Sequence, residues 1–124
     1  MNILLDTHIV IWWYEDPKKL SEDARKLIED RANILFLSPV VLWEISIKQS
    51  LNKLKVPESL IKKAIQDLIE IPIMIRHTQV LGKLPLIHSD PFDRILIAQA
   101  KADDLHLMTR DKQIAKYDLK LIKA

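Results

Sequence analysis

Residues 2–8, Asn2-Ile3-Leu4-Leu5-Asp6-Thr7-His8, constrain the fold more than any other stretch of the chain. Three consecutive large aliphatics leave no polar alternation, the pattern of a strand buried on both faces. The run stops at a carboxylate, and Thr7-His8 leads into an apolar, aromatic segment, Ile9 to Tyr14, that suits a helix. A buried strand that delivers an acid to its carboxyl end is how open α/β sheets present groups to a ligand.

The remaining segments repeat that grammar. Asp16-Pro17 breaks the chain, and Ser21 is the expected N-cap of a helix reaching about Arg31, with Leu27 and Ile28 inward. Ile34–Leu37 is a second wholly apolar strand, and Ser38-Pro39 supplies an N-cap and a first-turn proline for a helix toward Leu51. A helix over Ser59–Leu68 precedes a short strand within Ile69–Ile75, whose Pro72 places it at an edge or a strand start. A short helix from Arg76 to Leu84, closed near Gly82, comes next. Asp90-Pro91 opens a helix to about Asp103, Leu105–Met108 is a strand, and Thr109-Arg110-Asp111 a turn. A short helix over Lys112–Tyr117 and a strand over Leu119–Ile122 close the chain. Alternating short apolar strands and helices predict one α/β domain over residues 1–124, a three-layer α/β/α sandwich around a mostly parallel sheet.

Composition removes several kinds of function. The chain has no cysteine, which excludes disulfides, thiolate metal sites and cysteine nucleophiles and fits a cytoplasmic location. Its single glycine, Gly82, is too few for a phosphate-binding glycine loop or a dinucleotide fingerprint. Any metal must be held by oxygen or imidazole, which favours hard ions such as magnesium or manganese. No apolar run approaches the roughly 20 residues of a membrane span, and Asp6 with no basic residues before it argues against a signal peptide. The net charge is only +2, but lysines cluster over Lys48–Lys63 and basic residues over Arg110–Lys123. Such clusters steer phosphate backbones, or are simply solvated helix faces.

Four acids stand at the junctions. On a helix from Pro39, Val40, Ile47, Leu51 and Leu54 share a face, and Glu44 falls inside that stripe. Either it is buried with a partner, or the helix turns so that Trp43 and Ile47 face inward and Glu44 sits at the rim. Asp93 shares a face with Leu96, Ile97 and Ala100, opposite Arg94 and Lys101; its plain alternative is a weak capping-box role. Asp6 and Asp111 follow strands and are also positioned to cap the next helix, and for Asp90 capping is the preferred reading. If Asp6, Glu44, Asp93 and Asp111 converge, they repel one another, and a divalent cation relieves the repulsion. An all-oxygen pocket of this kind suits magnesium with a phosphate, and hence metal-assisted phosphodiester hydrolysis.

The same residues resemble the PIN-domain ribonucleases, especially the toxin halves of type II toxin–antitoxin pairs of the VapC kind. Leu4-Leu5-Asp6-Thr7-His8 with Trp12-Trp13 looks like that family's opening, and Ser38-Pro39 through Trp43-Glu44-Ile45 to Lys48 its second block. The most specific match is His88-Ser89-Asp90-Pro91-Phe92-Asp93-Arg94-Ile95-Leu96-Ile97-Ala98-Gln99-Ala100, and Thr109-Arg110-Asp111 is the last. The resemblance implies strand order 3-2-1-4-5 and magnesium or manganese on Asp6, Glu44, Asp93 and Asp111. It also implies cleavage of RNA and a cognate antitoxin, with Thr109 and Asp90 in support.

Two other readings remain open at this point. The acids serve only as caps in a catalytically silent binding module, or Asp6 is a phosphatase nucleophile. The second wants another acid two residues on, where this chain has His8. Trp12, Trp13 and Trp43 are read as core or interface before base-stacking platforms, the first two also as antitoxin contacts in a homodimer. His8 and His88 lack ligand spacing and are left out of the site. Lys48, one turn after Glu44, pairs with it or reaches phosphate.

Overall fold

The computed structural model describes residues 1–124. Five strands, β1 (Asn2–Leu5), β2 (Ile34–Leu37), β3 (Ile69–Glu70), β4 (His106–Thr109) and β5 (Leu121–Lys123), form one sheet in the order β3-β2-β1-β4-β5. Every pairing in it is parallel, in keeping with the expected parallel sheet. Six helices connect and cover it: α1 (Thr7–Glu15), α2 (Glu22–Glu29), α3 (Pro39–Ser50), α4 (Glu58–Asp67), α5 (Ile75–Lys83) and α6 (Pro91–Ala102).

β1 is central, and Ile3, Leu4 and Leu5 are all fully buried. Successive strand side chains point to opposite faces, so this burial requires a covering layer on each side. Asp6 extends the strand by one hydrogen bond, its N–H donating to the Met108 carbonyl at 3.1 Å, before α1 begins. The acid is thereby fixed at the carboxyl edge of the sheet between β1 and β4.

α6 is the most enclosed helix, with every residue from Ile95 to Ala100 buried, Gln99 included. It packs on α5, α3 and β4. The Gln99 amide donates to the carbonyls of Ile71 and Pro72, tying down the segment after β3. Buried His77 accepts from the Met74 N–H at Nδ1, so its Nε2–H donates to Asp103, which also takes a two-pronged bond from Arg76. These contacts pin α5 against the end of α6.

Several expected boundaries move for local reasons. β3 ends at Glu70, because its partner β2 stops at Leu37, where Ser38-Pro39 turns into α3. One further bond, Ile71 N–H to the Leu37 carbonyl, uses the last acceptor of that strand. The helix expected over Lys112–Tyr117 shrinks to a 3-10 turn, Ile114–Lys116, and the last strand lies at Leu121–Lys123. Gly82 does not close α5 with a left-handed residue; it lies inside the helix with open space where a side chain would be. The inward face of α3 is Val40, Val41, Glu44 and Ile45, while Leu51 is exposed. No helix is long and apolar enough to cross a membrane.

Candidate metal and RNA site

A cleft of about 270 Å³ opens over the carboxyl ends of β1 and β4, lined by Asp6, His8, Trp12, Glu44, Lys48, Asp90, Asp93, Arg110 and Asp111. All four acids singled out in the sequence therefore meet, together with Asp90. Asp6, Glu44 and Asp93 are buried, whereas Asp111 is exposed.

Glu44 takes the buried orientation, and Trp43 points outward to pack edge-on against Phe92. Its charge is compensated: Thr7 Oγ1 donates to Oε1 at 2.6 Å and Lys48 Nζ lies 2.7 Å from Oε2. The hydrogen bond to Glu44 in turn raises the Lys48 pKa. Asp6 accepts from the Thr7 N–H at 2.7 Å and from the Thr109 hydroxyl at 2.6 Å. That same hydroxyl accepts the Asp111 N–H at 3.0 Å, so Thr109, at the end of β4, links two acids. Thr7 does the same for Asp6 and Glu44, a role the sequence reading missed. Its signal was a hydroxyl directly after the strand-end acid.

Asp6, Asp90 and Asp111 behave as the capping reading anticipates, Asp6 being the N-cap of α1 with its carboxylate accepting the Thr7 N–H. Asp90 accepts from the N–H groups of Phe92 and Asp93 at the start of α6, and Asp111 from those of Gln113 and Ile114. Asp93 does not cap; its Oδ2 meets His88 Nε2 at 3.0 Å. His88 thus belongs to the site, contrary to the sequence reading. Nothing in residue spacing announces it, because its other ring nitrogen is engaged by Tyr117, 29 residues away.

Burial, foremost, raises the pKa of Asp6, with Glu44 adding repulsion. Asp93 is pushed up to about 7, again mainly by burial, with Asp6, Asp90 and Asp111 raising it further against the lowering hydrogen bond from His88. The cleft resists holding all its negative charge without a cation. No three His, Asp or Glu side chains stand close enough, as placed, to hold an ion directly. Each Glu44 oxygen already has one partner, whereas Asp93 Oδ1 and Asp111 Oδ2 have no hydrogen-bond partner. A cleft with five carboxyl groups and open to water fits magnesium, which keeps much of its water and takes one or two carboxylates directly.

At the rim, the Arg110 guanidinium lies 4.7 Å from the Trp12 ring centroid and donates to the carbonyls of Lys19 and Ala124. Trp12 and Trp13 are half-buried against the core, as the plainer reading of them holds. A second groove shares Arg110 and Asp111 with the acidic cleft and adds Lys112 and Lys123.

The sequence matches the PIN domain family over residues 3–120. The chain belongs to the PIN-domain family. A relative, Ribonuclease VapC22 of Mycobacterium tuberculosis (strain ATCC 25618 / H37Rv), is 26% identical over 129 residues, covering 94% of this chain and 92% of its own. Among solved structures, VapBC2 from Rickettsia felis bound to a promoter DNA fragment superposes with a TM-score of 0.77 at 20% identity, covering 99% of this chain and 98% of that one. DNA-bound VapBC from Salmonella typhimurium gives 0.74 at 14% identity, with the same coverage. At those identities the structures speak for the fold, and this PIN domain has its strand order 3-2-1-4-5 with the acids at the carboxyl edge.

Proposed function

We propose that this PIN domain is a metal-dependent endoribonuclease acting as the toxin of a type II toxin–antitoxin pair in the cytoplasm. The observation that carries the reading is the convergence of five acids on one water-open cleft at the sheet's carboxyl edge. Ribonuclease and VapBC names among its relatives support the substrate class and the antitoxin.

Asp6, Glu44, Asp93 and Asp111 would hold magnesium or manganese, with Asp93 and Asp111 the most open to direct contact. When bound, such an ion polarises a phosphoryl oxygen and lowers the pKa of water for in-line attack. The chain's own residues prepare for it. Thr7 and Thr109 fix the carboxylates of Asp6 and Glu44 and the backbone that carries Asp111. Lys48 balances Glu44 and stands on the cleft wall, where a phosphate arrives. Arg110, Lys112 and Lys123 line the adjoining groove, a seat for the neighbouring backbone phosphates. The partly buried Trp12-Trp13 segment is the seat proposed for an antitoxin, and exposed apolar side chains, Trp43, Ile75 and Leu86 among them, offer surface for a homodimer.

The capping-only alternative accounts for Asp6, Asp90 and Asp111 but not for the buried carboxyl groups of Glu44 and Asp93 on the same cleft. Purified protein incubated with RNA and magnesium should cleave it internally, and a chelator should stop the reaction until excess magnesium is added back. Cleavage indifferent to chelator would overturn the metal chemistry; no cleavage with magnesium or manganese would overturn the nuclease.

A further inference from the structure

Three hydrogen bonds outside the acidic cleft converge on the Tyr117 hydroxyl, behind His88 and Asp93. Tyr117 is buried, and its hydroxyl lies 2.8 Å from Arg94 Nη1, 2.8 Å from His88 Nδ1 and 3.3 Å from the His88 backbone N. Arg94 Nη1 also donates to the Pro85 carbonyl at 2.9 Å, holding the loop between α5 and α6 that carries His88. The imidazole ring is further packed edge-on against Tyr117.

Donor counting fixes the proton. Arginine and backbone N–H groups only donate, so together they fill the two lone pairs of the tyrosine oxygen. The hydroxyl proton is left with one acceptor, His88 Nδ1. A bare Nδ1 places the imidazole proton on Nε2, which faces Asp93 Oδ2 at 3.0 Å. The opposite tautomer would present three donors to one oxygen and a lone pair to a carboxylate.

We infer that Tyr117 and Arg94 fix His88 as a hydrogen-bond donor to Asp93, so that the three form a positioning device for that carboxyl group. The device rests on the reading of Asp93 as part of the metal site. It holds Asp93 through the bond from His88 to Oδ2 and leaves Oδ1 without a hydrogen-bond partner, on a residue that lines the cleft. Orienting partners behind metal ligands typically change metal affinity by about 10–100-fold.

The test pairs manganese binding, measured by calorimetry, with ring-nitrogen NMR of His88 in metal-free protein. Tyr117→Phe should weaken manganese by about tenfold or more and shift His88 from protonated Nε2 toward a tautomer mixture. His88→Ala should lose as much, His88→Gln should recover most of it because its amide N–H occupies the Nε2 position, and Tyr117→Phe should add nothing on top of His88→Ala. A purely structural role would lower melting temperature in all variants without this pattern. Wild-type His88 protonated at Nδ1, or unchanged manganese affinity in Tyr117→Phe, would overturn the device. Wild-type protein that binds no manganese but shows protonated Nε2 would instead overturn the metal site, leaving the donor assignment standing.

Discussion

Asp93→Asn should make the metal-free protein more stable near neutral pH and flatten its stability across mildly acidic pH. The folded carboxyl titrates at about 7 against an ordinary value of 3.8. The folded state therefore binds the extra proton between those values. The stability it contributes is complete below the lower value and is lost as pH rises through the upper one. Converted in full, that displacement is worth about 4 kcal/mol. The cleft is open to water, so screening and relaxation reduce the expected effect to about 1–2 kcal/mol. Asparagine keeps an acceptor oxygen for His88 and carries no charge, so the variant has little of this penalty to lose. The assay is urea unfolding in chelator from about pH 5 to about pH 8, where wild type should weaken and Asp93→Asn should weaken less. A shallower residual slope is expected from Asp6, whose pKa is also raised by burial. Magnesium should restore wild type at the upper end and do much less for the variant, because it binds only the folded form. Wild-type stability that climbs over this range in chelator, or a variant less stable than wild type at its upper end, would refute the reasoning.

Thr109→Val should cost about 1–3 kcal/mol in denaturant unfolding, since it strips a donor from buried Asp6 and an acceptor from the Asp111 N–H; Thr109→Ser should retain most of the stability. Lys112→Ala with Lys123→Ala should weaken binding of a noncleavable single-stranded RNA and flatten the salt dependence of log K by about 0.7 for each phosphate no longer neutralised. An unchanged slope would move the RNA path elsewhere. Hydrogen exchange over residues 9–17 should slow when the cognate antitoxin is added, and unchanged exchange there would misplace that interface. Sedimentation should show a dimer of the free protein, and a monomer at high concentration would remove it.

How much was legible before the structure differs from residue to residue. Asp6 was readable because an unbroken aliphatic run leaves a strand only one place to deliver an acid. Glu44 was ambiguous, since helical periodicity fixes spacing but not rotation. Rotation was settled by Thr7 and Lys48, which make burial of the charge tolerable. His88 was illegible for a related reason. Its significance depends on Tyr117 and Arg94, and no pairwise pattern encodes a bond between a loop and a 3-10 turn. Gln99 was hidden within an apolar motif; its burial follows from the carbonyls that Ile71 and Pro72 present just beyond the end of β3. Strand ends shifted wherever a neighbour, rather than the strand's own residues, determined the last hydrogen bond.

The central claim is that Asp6, Glu44, Asp93 and Asp111 form one metal site that cleaves RNA. It is tested most directly by magnesium-dependent RNA cleavage with purified Asp6→Asn and Asp93→Asn proteins, each melted in parallel to show that it folds. Asp90→Asn is the control, since asparagine caps a helix about as well as aspartate and Asp90 caps α6. Folded Asp6→Asn and Asp93→Asn proteins should cleave only at background, with a smaller loss in Asp90→Asn. Cleavage at the wild-type rate by both folded variants would contradict the metal site.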